Sequence, residues 1–203
     1  ITVNVHPLPT LYTVSGPSFY CFGTAGVSIT LSSSQSDVTY ELYKDGNPTG
    51  DTQAGSTGSS LTWSGQTAGT YTVHAVDDTY SCKRFMTGSV SVEENAPIII
   101  DPDPPAKTDV SCNGGSDGTI TVIVSGGTPS YLYSAETGAV KNYISSNVFT
   151  GKFAGTYNVF VKDSRECEVS TSVTIDEPPV LSIATIAETH IVTCSGGIDG
   201  DAL

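Results

Sequence analysis

The residues with the most chemistry in this chain are five cysteines, Cys21, Cys82, Cys112, Cys167 and Cys194. Paired thiols form disulfides in oxidising compartments, whereas a zinc site needs close ligand spacings that none of these cysteines shows. The first four allow three connectivities. The simplest pairs Cys21 with Cys82 and Cys112 with Cys167, because each pair has one cysteine early and one late in a repeated stretch of sequence. Closing either loop contributes about 4 kcal/mol in the chain-entropy model. Cys194 takes the place of Cys112 in a further stretch, so it is expected to be left unpaired by truncation. The compartment implied is outside the cytosol.

Other residues invite chemistry and read more simply as structure. Gly114-Gly115-Ser116-Asp117-Gly118 matches the G-x-S-x-G pattern of a nucleophile elbow. That device needs a strand-to-helix turn and a histidine base. Here a β-rich stretch follows, and the repeated copy has Ile198 in place of the serine. No catalytic residue is therefore assigned, and the chain is not expected to be an enzyme. The glycines suit a tight turn with Asp117 capping backbone amides. His6, His74 and His190 share no metal-ligand spacing. His74 alternates with Val73, which predicts a solvent-facing strand residue. Trp63, Tyr131 and Tyr133 read as packing residues rather than a sugar-stacking row. Asp101 and Asp103, with Asp109 and Asp117 nearby, offer hard oxygen ligands for a loosely held calcium ion. The prolines between them already make an extended linker without metal, and no other cofactor is expected.

The elements that would position these residues repeat. Cys112-Asn113-Gly114-Gly115-Ser116-Asp117-Gly118 returns 82 residues later as Cys194-Ser195-Gly196-Gly197-Ile198-Asp199-Gly200, and Pro97 returns as Pro179 in the same phase. Ala68-Gly69-Thr70-Tyr71 returns as Ala154-Gly155-Thr156-Tyr157. Gly69 and Gly155 are expected to supply positive-φ turns, and Tyr71 and Tyr157 to pack at a strand start with the hydroxyl bonded to backbone. Strand-like runs that stop at prolines occur before Pro7, Pro97 and Pro178. Several motifs in one order signal tandem modules. Alternation at Val38-Tyr40-Leu42, Tyr71-Val73-Ala75 and Tyr157-Val159-Val161, with frequent turn clusters and no helical period, predicts antiparallel β-sandwiches, immunoglobulin-like in the broad sense.

Charge narrows the partners. Twenty-one acidic against 8 basic residues give a net charge of -13 over 203 residues, the reverse of a nucleic-acid footprint. No apolar run approaches the ~18 residues of a membrane span. Hydrophobic residues make up 37% of the chain, enough for small sandwich cores.

The second module resembles a known repeat. Its Cys-Asn-Gly-Gly-Ser-Asp-Gly-Thr-Ile (112–120), Val-Ser-Gly-Gly-Thr-Pro-Ser-Tyr (124–131), Ala-Gly-Thr-Tyr (154–157), Val-Lys-Asp (161–163) with Cys167, and Asp-Glu-Pro-Pro (176–179) are similar to the SprB-type repeat. That family occurs in very large surface adhesins of gliding and other Bacteroidota exported by type 9 secretion. The first module is similar, more loosely, to another repeat of such proteins. The expected organisation is the last strand of a preceding module at 1–6, an immunoglobulin-like sandwich at 7–96, an SprB-type sandwich at 97–180, and the start of a truncated third repeat at 181–203. The fold class expected is all-β, with tandem sandwiches each holding one internal disulfide. The resemblance implies an extracellular stalk or filament segment on the outer surface of a Gram-negative cell. Its partners would be neighbouring modules, surface polysaccharide or other surface proteins, and the secretion and gliding machinery. An accessory carbohydrate-binding region of a secreted hydrolase is the alternative.

Overall fold

A computed structural model describes residues 5–182. Cys194, His190 and nearly all of the expected third repeat lie outside the described residues. Every element found is a strand, and the chain divides into two compact units. The first comprises Ile1–Ile99 together with Ser125–Tyr131 and Lys162–Glu168; the second holds Ile100–Val124, Leu132–Val161 and Val169–Leu203.

The first unit is a sandwich. One sheet orders β1 (Val14–Ser15), β3 (Val27–Leu31) and β6 (Leu61–Gln66). The other orders β2 (Phe19–Cys21), β9 (Val90–Asn95), β7 (Gly69–Asp77), β4 (Val38–Lys44) and β5 (Asn47–Ala54), with β8 (Lys83–Phe85) also on β7. Period-2 alternation sends Ile29, Leu31 and Trp63 inward from the first sheet and Tyr40, Leu42, Tyr71, Val73 and Ala75 from the second, into one apolar cluster. Each fully buried Leu or Ile contributes roughly 1.5–3 kcal/mol. Asp45 and Gly46, at φ 51° and 78°, make the two-residue turn between β4 and β5. Positive φ at both centres is what a twisted hairpin demands.

Most pairings are antiparallel, but β2 runs parallel to β9, with Cys21 opposite Asn95. β9 runs antiparallel to β7, Gly69 facing Val92 and Tyr71 facing Val90. Asn95 and Cys21 therefore lie beyond the start of β7. Cys82 follows the other end of β7, next to the pairing of Val76 with Lys83. Nine residues of strand separate those ends, about 30 Å.

The second unit contains β11 (Ala106–Thr108), β12 (Gly118–Thr121) and β15 (Val148–Lys152) in one sheet, and β14 (Leu132–Glu136), β16 (Gly155–Lys162) and β17 (Glu168–Ile175) in another. Ile120, Phe149, Val159 and Ile175 are buried. A side chain at Gly118 would come within 2.9 Å of the Lys152 carbonyl and 3.0 Å of Ile175, so the two sheets close on a glycine. The short strands β10 (Ile98–Ile100) and β13 (Val124–Gly126) pair with each other.

Candidate functional site

The disulfide expected within each module is not the one that forms. Cys21 is bonded to Cys167, across a sequence separation of 146, and Cys82 and Cys112 are free thiols. This corrects the pairings of Cys21 with Cys82 and of Cys112 with Cys167, and with them one internal disulfide per module. The cause is strand direction. Because β2 is parallel to β9, the early cysteine lies at the end of the sheet where the last strand finishes, and β7 carries Cys82 to the opposite end. The second module repeats the arrangement. Asn113 donates to the Pro178 carbonyl (3.2 Å) and the Gly114 amide to Glu177 (2.9 Å), which fixes Cys112 beyond the end of β17. Cys167 directly precedes the start of that eight-residue strand, about 26 Å away.

In the first unit the bond rests on a buried polar node. Asn95 and Asp163 are each only 3% exposed. Asn95 Nδ2 donates to Asp163 Oδ2 at 2.7 Å and reaches Cys167 Sγ at 3.2 Å. Its Oδ1 accepts from the Thr128 hydroxyl at 2.6 Å. Asp163 Oδ2 also accepts the Thr128 amide (2.8 Å), and Oδ1 accepts the amides of Arg165 (2.9 Å) and Cys167 (3.0 Å). Burial alone would raise this carboxyl. The donated bonds from Thr128, Cys167, Asn95 and Arg165 outweigh it and hold Asp163 below the usual carboxylate range.

The segment carrying Cys167 is held from outside as well. Ser164 Oγ donates to the Thr128 and Pro129 carbonyls at 3.1 and 3.0 Å. Arg165 lies 4.8 Å from the Phe19 ring centroid and 3.7 Å from Glu93. Gly127 stands at φ 60°, where an added Cβ would meet Ile98 at 2.7 Å and Asp163 at 3.1 Å. Thr128, Asn95, Asp163 and Arg165 were not singled out by sequence. Val-Lys-Asp was visible as a motif, but nothing local shows that its aspartate is buried.

The remaining sequence candidates fall in separate places. Gly69 and Gly155 have φ of 151° and 149°, and the Tyr71 and Tyr157 hydroxyls donate to the carbonyls of Thr67 (2.7 Å) and Phe153 (3.0 Å). Gly114 is at φ 73°, Gly115 donates to the Cys112 carbonyl (2.9 Å), and Asp117 accepts the Ser111 amide (3.0 Å). That last bond is the main cause holding Asp117 below its ordinary value. Ser116 precedes β12, a strand rather than the helix an elbow requires.

The four calcium candidates do not converge. Asp103 accepts the Thr171 hydroxyl at 2.6 Å, and Asp101 donates its amide to the Ile123 carbonyl. Lys107 bridges Asp109 (2.7 Å) and Asp176 (2.6 Å). Asp109 is lowered chiefly by that lysine, and Lys107 is raised chiefly by Asp109. Among the described residues no group of three or more His, Cys, Asp or Glu side chains gathers as a metal cluster.

Trp63 is buried, its indole N–H donating to the Asp51 carbonyl at 3.1 Å. Tyr133 is buried and Tyr131 half-buried. His74 points outward but is half-covered, stacked on Phe85 at 4.4 Å with Tyr43 edge-on to both. Burial, then the nearby Lys83, lower its pKa.

Comparison with known proteins adds one family. The SprB repeat matches residues 105–140. No curated protein matches the chain. Among solved structures, the three N-terminal domains of the highly immunogenic outer capsid protein Hoc of bacteriophage RB49 share 23% identity, over 81% of this chain and 58% of that one, with a TM-score of 0.37. A C-terminal 282-residue fragment of intimin, solved with the intimin-binding domain of its translocated receptor, shares 17% over 83% and 64%, with a TM-score of 0.47. The first two immunoglobulin domains of DIP-gamma share 14% over 84% and 98%, with a TM-score of 0.37. The chain thus spans 58% and 64% of the first two structures' lengths. These likenesses to solved structures concern the fold alone.

Proposed function

We propose that this chain is a structural and adhesive segment of a long, repeat-built extracellular protein, displayed on the surface of a Gram-negative cell by type 9 secretion and used in gliding or attachment. The observation that carries this reading is the SprB-repeat match over residues 105–140. The covalent structure supports a mechanical role. With Cys21 bonded to Cys167, tension applied at the chain's ends passes through the sulfur bridge and bypasses the residues between them. The strands from β3 to β16 then carry no tension, because they lie inside the closed loop.

Neighbouring modules, surface polysaccharide and other surface proteins are the proposed partners. The alternative, an accessory carbohydrate-binding region, has less support. Trp63 is in the core, and the exposed Phe85 is stacked on His74 rather than set in an open row.

Antibodies raised against this segment test the reading on intact cells that produce the whole protein. Surface labelling that external protease removes, with loss of attachment, is the expected result. Labelling only after lysis would contradict it.

A further inference from the structure

Among the described residues two thiols are left over, and the repeat explains both. Cys82 and Cys167 end equivalent turns. Ser81 and Glu166, the residues just before them, both stand at positive φ (56° and 64°). The Asp77 amide donates to the Cys82 carbonyl at 2.9 Å, as the Asp163 amide does to the Cys167 carbonyl at 3.0 Å. Asp77 Oδ1 accepts the amides of Thr79 and Tyr80, as Asp163 Oδ1 accepts those of Arg165 and Cys167.

In both cases a residue just before a proline touches the turn. Asn95, two residues before Pro97, binds Asp163. His6, just before Pro7, stacks on Tyr80 at 3.4 Å, and Arg84 donates to the Pro9 carbonyl at 3.2 Å. Cys21 sits beside Asn95; the early cysteine of another module would sit in the same way beside His6.

Cys112 is the matching half. Like Cys21, it lies early in its module, beyond the finishing end of the last strand. Unlike Cys21, it is exposed, on a cleft of about 450 Å³ lined by Ser111, Asn113 and residues 178–181. Val180 and Leu181 on its rim are 70% and 94% exposed, an apolar lip with nothing described against it.

We propose that Cys82 and Cys112 are the open halves of a staggered bond, in which the early cysteine of one module joins the late cysteine of the next, as Cys21 joins Cys167. The partner for each is another module of this kind: an Asp-and-cysteine turn for Cys112, an early cysteine for Cys82. Successive loops then overlap, so that no stretch between modules lies outside a covalent ring. This inference needs the repeat phase and the observed bond, and it does not depend on an adhesive role.

Glutathione disulfide serves as oxidant. The Cys112 thiolate attacks one of its sulfurs, releasing one glutathione and leaving a mixed disulfide. The Cys82 thiolate of a second copy then attacks the Cys112 sulfur and expels the second glutathione. Two protein thiols are oxidised and one glutathione disulfide is reduced to two glutathiones.

The test mixes two variants of this 203-residue segment in glutathione redox buffer, one Cys82→Ser and the other Cys112→Ser, both also Cys194→Ser. Peptide mass mapping without reduction reads the products. The expected product is a heterodimer joined by Cys82 and Cys112, at least tenfold over either homodimer, with Cys21–Cys167 intact. Dimers in statistical proportion would overturn the proposal. So would monomers in which the single remaining thiol, Cys112 in one variant and Cys82 in the other, carries only glutathione. Either failure leaves the surface-labelling result untouched.

Discussion

The turns that end at Cys82 and Cys167 have the same local build and different surroundings. Asp77 is half-buried and serves its own turn, whereas Asp163 is buried and binds Thr128 and Asn95 as well. One cysteine is a thiol and the other a disulfide. The difference teaches that the turn offers the cysteine, and the node built on Asn95 decides that it is used. A carboxylate can be buried there because each of its oxygens has two donors within 3.0 Å, so desolvation is offset by charge-assisted bonds.

Breaking the bond should separate the two turns most. Loop closure across 146 residues contributes about 5 kcal/mol in the chain-entropy model, so Cys167→Ser should lower urea-unfolding stability by most of that. Cys82→Ser should move it by less than about 0.5 kcal/mol. Equal effects would remove the distinction.

Asp163→Ala is next. It strips the partner from buried Asn95 and from three amides, and should cost about 3 kcal/mol, against about 1 kcal/mol for Asp77→Ala, measured the same way.

Acid sharpens the contrast through sign. The folded Asp163 pKa lies below its unfolded value, so its contribution is complete above about pH 4 and disappears as pH falls through the folded value. Asp163→Asn should flatten that part of the stability-against-pH curve. The smallest effect belongs to Arg165→Ala. Its partners are an exposed carboxylate and one ring face, and the loss should be about 0.5–1 kcal/mol.

Much of the fold was legible because it is local. Alternation in β4, β7 and β16 marks their buried faces, Asp45-Gly46 marks its hairpin, and the tyrosines after Gly69 and Gly155 mark strand starts. The pairing of cysteines was not legible. It depends on β2 lying parallel to β9, a choice made by packing between segments some seventy residues apart, with no local signature. Asn95 was hidden for a related reason. It breaks the inward phase of Val90 and Val92, and only its contact with Asp163 explains a buried amide at a strand's end.

Stretching single molecules of this 203-residue segment, held at its two ends, tests the central claim most directly. If Cys21 is tied to Cys167, adding reductant during unfolding should release one hidden length of about 500 Å, the reach of 146 residues at ~3.5 Å each. Two separate releases of about 200 Å, the lengths expected for loops closed within each module, would contradict it.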